Sequence, residues 1–178
     1  GPLAGLKVVE LGQLIAGPFA AKTLADFGAE VIKIEPPGTG DPLRQWRLLH
    51  DGTSVWWQVQ SRGKQSVVLD LRQEADRAIV RRLIDEADVL IDDSSPRLLQ
   101  ERGLGYATLA RINPDLVMIS CTPFGQTGPY ANRAGYDFII QGLGGLMSVT
   151  GERDDRPGGG PQKVGVAVTD VFTGVYAA

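Results

Sequence analysis

The length, composition and charge of this chain restrict its class before any motif is considered. Its 178 residues suffice for one domain with a hydrophobic core but hardly for two, and its 43% apolar and 22% charged residues are ordinary for a soluble globular protein. The net charge of -3, with both signs mixed along the chain, argues against a nucleic-acid binder, because such proteins usually show a basic face.

Cysteine usage and hydropathy indicate the compartment. Cys121 is the only cysteine, so no intrachain disulfide can form and a reducing compartment is expected. No apolar run reaches the roughly 18 residues that a membrane helix needs, and no leader peptide opens the chain. We therefore expect a cytoplasmic protein with no membrane partner. Gly1-Pro2 is interpreted as the remnant of a cleaved tag.

The first elements along the chain form a βαβ unit. The segment LKVVEL predicts a buried strand, and GPFAAKTLADFG predicts a helix with Pro18 at its first position and Gly28 just after its end. The segment AEVIKIE predicts a second strand that ends at Glu35. A strand, a helix and a strand within about thirty residues are typical of a right-handed parallel crossover.

The alternation of strands and helices continues to Cys121. Apolar residues at helical spacing predict a helix over 74–86, and short helices are predicted near 98–102 and 135–146. Further strands are predicted at SVVLDL (66–71), ADVLID (87–92) and DLVMISC (115–121). This pattern favours the α/β class, with a Rossmann-like parallel sheet flanked by helices.

Several chemistries that this fold class allows lack their motifs. The turn GQLIAGP lacks the G-x-G-x-x-G pattern of dinucleotide binders, so Glu35 is interpreted as a solvated strand end rather than a ribose ligand. His50 is the only histidine, and Cys121 has no partner at ligand spacing, so we expect no metal site. His50 is predicted to lie on the surface and Cys121 in the core.

Basic residues follow glycine-containing turns in two places. Arg44 and Arg47 lie in GDPLRQWR, and Arg62 and Lys64 lie in SRGKQS just before a predicted strand. Charge-assisted contacts from such side chains suit phosphates. Ordinary solvated loop charge explains the same pattern equally well.

The C-terminal segment VGVAVTDVFTGVYAA contains one carboxylate, Asp170, in an otherwise apolar stretch. One interpretation is that Thr169 or Asp170 caps a helix, and the other is that the carboxylate is functional. Gly174 lies one helical turn beyond Asp170. The apolar helical pattern stops without a stop signal, so we expect a truncated chain.

Taken together, these stretches resemble the class III CoA-transferase family, which also contains the 2-methylacyl-CoA racemases. The matching segments include LKVVELGQLIAGPFAAKTLADFGAEVIKIEPPGTGDPLR, SRGKQSVVLDL, LGYATLARINPDLVMISCTPFGQTGPY and VGVAVTDVFTG. The resemblance implies that residues 3–178 are the N-terminal portion of an α/β large domain. It also implies a second, smaller domain that is absent from this chain and an interlocked homodimer at full length.

The resemblance also implies an activity and a set of site residues. Asp170 matches the family's nucleophilic carboxylate, which carries CoA between an acyl-CoA and a small carboxylic acid through an aspartyl intermediate. Gln13 and Tyr136 are expected to line the substrate pocket. The residues expected to contact coenzyme A are Ile15, Ala16, Gly17, Pro18, Arg44, Arg62, Lys64 and Arg97.

Two departures from the family pattern leave alternatives open. The racemases carry a histidine where this chain has Tyr136, and tyrosine is a poor base at neutral pH, so the transferase is favoured over the isomerase. The segment DDSSPRLL stands where the family has an acidic-amide-aromatic-basic run, with Arg97 two positions beyond the lost basic residue. A non-catalytic CoA-binding subunit or fragment is therefore a third interpretation.

Overall fold

The computed structural model describes residues 1–178, apart from the side chain of Pro96. The strands, in chain order, are β1 (Lys7–Glu10), β2 (Glu30–Glu35), β3 (Leu49–His50), β4 (Thr53–Ser54), β5 (Lys64–Val68), β6 (Val89–Asp92) and β7 (Val117–Ser120). The helices are α1 (Ala16–Asp26), α2 (Val55–Gln60), α3 (Glu74–Asp85), α4 (Pro96–Glu101), α5 (Tyr106–Ile112), α6 (Asp137–Leu143) and α7 (Val168–Ala177). Two 3₁₀ turns span Pro42–Gln45 and Leu146–Val149.

Five of the strands form one parallel sheet in the order β5-β2-β1-β6-β7. Counted in chain order, these five strands are arranged 3-2-1-4-5, which is the arrangement of a Rossmann-like sheet. The strand order reverses between β1 and β6. In such sheets, ligands bind outside the carboxyl ends of the strands at this reversal. The predicted fold class, an α/β protein with a Rossmann-like parallel sheet, is confirmed.

Both faces of the sheet are covered, as a parallel sheet requires. Alternate strand residues point to opposite faces, so Val8 and Val9 enter different apolar layers. The layer on one face joins strand residues to α1 through Ala20, Ala21 and Leu24. The layer on the other face contains, among others, Val9, Ile34, Val80, Ile84, Leu90 and Leu109.

Helix α1 ends as its sequence predicts. Gly28 has a φ of 105°, which glycine adopts without strain, and its N–H binds the carbonyl of Ala25 at 2.9 Å. The N–H of Ala29 binds the carbonyl of Leu24 at 3.1 Å, which completes a Schellman motif. At the other end Pro18 is the third helical residue instead of the first. Proline is tolerated there because N–H groups of the first turn have no partner within the helix.

Several predicted boundaries differ from the observed ones. The helix predicted at 74–86 is observed as α3. The strand predicted at 66–71 is β5, which begins and ends earlier because its pairing with β2 sets its extent. The single short helix near 98–102 is two helices, α4 and α5. The helix predicted at 135–146 is α6 followed by a 3₁₀ turn. No described helix has the length and apolar composition to cross a membrane.

Candidate active site

Helix α7 lies directly against the start of α1, and Gly174 allows the contact. A Cβ atom at Gly174 would lie 2.8 Å from the carbonyl oxygen of Ala16 and 2.9 Å from the Cβ of Phe19. Further along α7, Ala177 packs into the layer that contains Ala20. The two helices therefore run in the same direction. Asp170, one turn before Gly174, lies past the beginning of α1, towards the carboxyl edge of the sheet.

Neither Thr169 nor Asp170 caps α7, so the capping interpretation is wrong. The helix begins at Val168, and the residue at the N-cap position, Ala167, provides no side-chain hydrogen bond. The cap comes instead from α6, where Asp137 Oδ1 accepts hydrogen bonds from the Thr169 N–H at 2.8 Å and from the Thr169 hydroxyl at 2.6 Å. A carboxylate at a helix N-terminus satisfies N–H groups that lack partners within the helix.

The Asp170 carboxylate is partly buried and makes no hydrogen bond or ion pair with any side chain or backbone group that the structure describes. Burial and the negative charge of Asp137 raise its pKa to about 6. These two effects outweigh the N–H groups at the start of α7, which favour the ionised form. At pH 7 the carboxylate is still mainly ionised.

Tyr136 is distant from Asp170 in sequence, but its neighbour Asp137 connects it to the start of α7. It immediately precedes Asp137, and Asp137 binds the residue before Asp170. The Tyr136 side chain is exposed, and its ring stacks on Phe138 with centroids 6.3 Å apart. The fold therefore brings Tyr136 and Asp170 to the same region as the N-terminus of α1.

The turn between β1 and α1 is held by carboxylates from two other loops. The N–H of Gln13 lies 2.8 Å from Asp93 Oδ2 and 3.0 Å from Oδ1. The next N–H, of Leu14, donates to Asp41 Oδ1 at 3.1 Å. Leu14 has a φ of 62°, a left-handed conformation that costs a non-glycine residue about 1–3 kcal/mol. The side chain of Gln13 is exposed.

Buried lysines hold two carbonyls of the same segment. Lys33 Nζ donates to the carbonyl of Gly12 at 2.6 Å, and Lys64 Nζ donates to the carbonyl of Pro18 at 2.8 Å. Both ammonium groups also lie 2.7 Å from a carboxylate oxygen of Glu10. Burial lowers the pKa of Lys64, although the charge of Glu10 opposes this. For Lys33, burial is outweighed by Glu10 and Asp41, and the pKa is raised.

Asp93 occupies the crevice where the strand order reverses. A Cβ at Gly12 or at Gly17 would lie 3.1 Å from Asp93 Oδ2, so glycine leaves room for the carboxylate at both positions. Burial is the main cause that raises the pKa of Asp93 to about 8, and the charges of Asp92 and Glu10 add to it. In a dinucleotide-binding fold the ligand's phosphates would occupy this crevice.

The predicted CoA contacts are dispersed. The start of α1, at residues 15–18, lies at the end of the helix nearest Asp170. The Lys64 ammonium is buried beneath the turn between β1 and α1. Arg62 is exposed and lies 3.8 Å from Asp26, the last residue of α1, so the fold places it at the opposite end of that helix. Arg97 is exposed on α4 and pairs with Glu101.

Arg44 and Glu35 form a pair that the sequence did not predict. The guanidinium donates two hydrogen bonds of 2.7 Å to the Glu35 carboxylate and lies 3.9 Å from the centroid of the Trp57 ring. Glu35 is 1% exposed, so its interpretation as a solvated strand end is wrong. Burial would raise the pKa of Glu35, but hydrogen bonds from Arg44, Ser66 and the Asp41 N–H lower it to about 2.

Sequence reasoning also missed Asp41, Asp93 and Asp137 as structural ligands of backbone amides. One signal was available, because Glu10 and Lys33 are charged residues directly beside apolar runs of two strands, and parallel strands are normally apolar throughout. The predictions for His50 and Cys121 are confirmed: His50 is exposed, and the Cys121 thiol is buried, with its pKa raised to about 11 by burial and the nearby Asp93 and Asp92.

Comparison with known proteins identifies the family. Residues 3–178 match the sequence profile of CoA-transferase family III. The chain belongs to this family. It is 44% identical over 178 residues to the succinyl-CoA–D-citramalate CoA-transferase of Chloroflexus aurantiacus, covering 99% of this chain and 43% of that protein. It is 47% identical over 183 residues to the succinate–glutarate CoA-transferase of Agrobacterium fabrum, covering 99% and 45% respectively.

A solved relative has the same fold. The crystal structure of a CaiB/BaiF family protein from Brucella suis superposes with a TM-score of 0.91 at 50% identity, covering 99% of this chain and 47% of that one. The chain thus spans less than half the length of these relatives.

Proposed function

We propose that this chain forms the nucleophile-bearing part of a CoA-transferase, with Asp170 as the residue that receives the acyl group and then CoA. The observation that carries the proposal is the state of this carboxylate. It is partly buried at the first turn of α7, and no described group binds it, so the fold does not use it as a structural ligand. The family resemblance and the named activities of the relatives support the same role.

The proposed reaction proceeds by four displacements. A carboxylate oxygen of Asp170 attacks the thioester carbon, the C–S bond breaks, and the CoA thiolate leaves a mixed anhydride. The thiolate attacks the Asp170 carbonyl and releases the donor acid, which gives an aspartyl-CoA thioester. The acceptor carboxylate attacks this thioester and expels the thiolate again. The thiolate then attacks the acceptor's carbonyl, which forms the new acyl-CoA and restores Asp170.

The surroundings of Asp170 suit this chemistry. No hydrogen bond has to be broken before its oxygen attacks, and the N-terminal end of α7 provides a positive field for the oxyanion that develops. A pKa of about 6 leaves the nucleophile ionised at neutral pH. We expect kcat/KM to fall as the pH is lowered through about 6, because protonated Asp170 cannot attack.

The wider setting is part of the proposal. Residues 3–178 would be the N-terminal portion of the large domain, and the smaller domain and a homodimeric, cytoplasmic assembly would belong to the longer protein. Coenzyme A would contact the start of α1 at Ile15–Pro18, with Gln13 and Tyr136 beside the acyl group. The exposed guanidinium groups of Arg62 and Arg97 would be available to phosphates, whereas Arg44 and Lys64 would act mainly through their buried partners.

The decisive experiment is trapping of the intermediate in the full-length protein. The protein is incubated with succinyl-CoA, treated with hydroxylamine and analysed by peptide mass mapping. A hydroxamate on the peptide that contains Asp170 is expected in the wild type and in Asp26→Asn, a control at the far end of α1. Asp170→Asn is expected to give no adduct and no transfer.

Other outcomes would favour the alternatives. Incorporation of deuterium from the solvent at the α-carbon of a 2-methylacyl-CoA, without an adduct, would favour the isomerase. Binding of CoA that is unaffected by Asp170→Asn, with neither adduct nor exchange, would indicate a binding subunit and would contradict the transferase.

A further inference from the structure

The segment from Gly12 to Pro18 is fixed by lysine and aspartic acid side chains that come from outside it. Two carbonyls bind buried lysines, and two successive N–H groups bind the carboxylates of Asp93 and Asp41. A turn between a strand and a helix does not need four such ligands to form. The binding of four titratable side chains to one short turn therefore indicates a role beyond forming the turn.

The two carboxylates act at a strained point of the backbone. Leu14 adopts the left-handed conformation that non-glycine residues avoid, and strain of this kind persists only where the surroundings impose it. Asp93 holds the N–H just before this residue, and Asp41 holds the N–H of Leu14 itself. Both contacts span from another loop, since Asp93 follows β6 and Asp41 follows β2.

The carboxylates are themselves held in place. Asp41 is 1% exposed, its Oδ2 lies 2.9 Å from Lys33 Nζ, and its own N–H donates to Glu35 at 2.8 Å. Asp93 fits into the space left by Gly12 and Gly17. The geometry of the turn is therefore set largely by two other loops at the carboxyl edge of the sheet, the one after β2 and the one after β6.

We propose that Asp93 and Asp41 are positioning residues, which clamp the Gln13–Leu14 turn in its strained conformation and so fix the side chain of Gln13 and the first turn of α1 relative to Asp170. This inference rests on the proposed function. The clamp acts through the backbone, because the exposed Gln13 side chain and the Ala16 carbonyl under Gly174 belong to the segment that the carboxylates hold. Neither carboxylate has to contact the substrate.

The test compares Asp93→Ala and Asp93→Asn with Asp88→Ala in the full-length protein. Asp88 is a matched control, because it lies just before the same strand and accepts a backbone hydrogen bond from Lys7 at 2.8 Å at the opposite edge of the sheet. Asp41→Ala is a second variant that tests the other half of the clamp, because it removes the acceptor of the Leu14 N–H. The readouts are hydrogen exchange at the Gln13 and Leu14 amides, the thermal midpoint, and kcat and KM for CoA transfer from succinyl-CoA.

Asp93→Ala is expected to accelerate exchange at Gln13 and to lower kcat by up to about 100-fold, a loss that a misplacement of about 1 Å can cause, with a smaller change in KM. Asp93→Asn keeps an acceptor for the Gln13 N–H and should restore most of the wild-type kcat. Asp88→Ala should lower the thermal midpoint without changing kcat. Asp41→Ala removes the acceptor of the Leu14 N–H and should increase exchange at Leu14 more than at Gln13.

Two results would overturn the inference. One is unchanged exchange at Gln13 and Leu14 in Asp93→Ala, and the other is a kcat for this variant equal to that of Asp88→Ala. If the wild type transfers no CoA and Asp170 is not labelled, the proposed function fails, and the exchange data alone then decide whether the clamp exists.

Discussion

The two regions that meet at Asp170 are built in opposite ways. Below the β1–α1 turn, buried charges neutralise one another: Glu10 and Asp41 lie within 3 Å of the ammonium group of Lys33. On α6 and α7, large apolar side chains are exposed, including Tyr136, Phe138, Leu143, Phe172 and Tyr176. The first region obtains its geometry from contacts within this chain, whereas the second presents apolar surface that no described residue covers. Substitutions of the buried charges in the first region should therefore be costly, and substitutions of the exposed apolar side chains in the second should be nearly neutral.

The largest effect is expected from Lys33→Met. The substitution leaves Glu10 and Asp41 buried without their shared cation, and removal of one member of a buried charge group costs about 3–5 kcal/mol. The matched control is Lys7→Met on the neighbouring strand, whose ion pair with Glu86 is exposed and contributes at most about 1 kcal/mol. Urea unfolding measures both. Equal losses would show that the buried network does not determine stability.

A smaller loss is expected from Gly174→Ala. The new methyl group would overlap the Ala16 carbonyl and Phe19, so α7 must shift from α1, at a cost of about 1–3 kcal/mol. Gly142→Ala in α6 is the control, since its methyl group would meet only Met147 Sδ at 3.8 Å. There the higher helix propensity of alanine should stabilise the protein by up to about 1 kcal/mol. Thermal midpoints that fall equally would contradict the close contact between the helices.

The pH dependence of stability tests the carboxylate in the crevice. The pKa of Asp93 is raised from its ordinary value near 4 to about 8, so between these values the folded protein binds more protons than the unfolded chain. The free energy of unfolding should therefore fall as the pH rises from 4 to 8, by up to about 1.4 kcal/mol per pH unit from this group. Asp93→Asn should reduce this slope, and an unchanged slope would show that Asp93 is ionised in the fold.

The smallest effect is expected from Tyr176→Gln on α7. Tyr176 is 89% exposed, so its replacement should change the free energy of unfolding of this chain by less than about 0.5 kcal/mol. Urea unfolding at pH 7 measures the difference. A loss of several kcal/mol would mean that the exposed face of α7 is packed against protein in solution.

The sequence predicted the secondary structure, which depends on local pattern. It did not predict the side-chain partners that come from distant parts of the chain. The βαβ unit, the helix at 74–85 and the glycine after α1 follow from periodicity and from glycine's backbone freedom. The burial of Glu35 could not be predicted, because no motif in the sequence indicates that Arg44 and Ser66 bind its carboxylate. The capping of α7 by Asp137 could not be predicted either, because Asp137 is 32 residues away from Thr169 in sequence. The roles of Tyr136 and of the CoA contacts stay predictions, and the trapping experiment tests the role of Asp170.

The position of Asp93 also bears on protein engineering. The sheet has the strand order of a nucleotide-binding fold, and a short glycine-containing turn opens α1 at the usual place. In this chain the crevice already contains a side-chain carboxylate, which would exclude a pyrophosphate by volume and repel it when ionised. A redesign towards nucleotide binding would therefore have to begin by replacing Asp93 with glycine or alanine. The Gln13 amide would then need a new hydrogen-bond acceptor, and a phosphate oxygen would have to replace the Asp93 carboxylate in that role, while Asp41 would continue to bind the Leu14 amide.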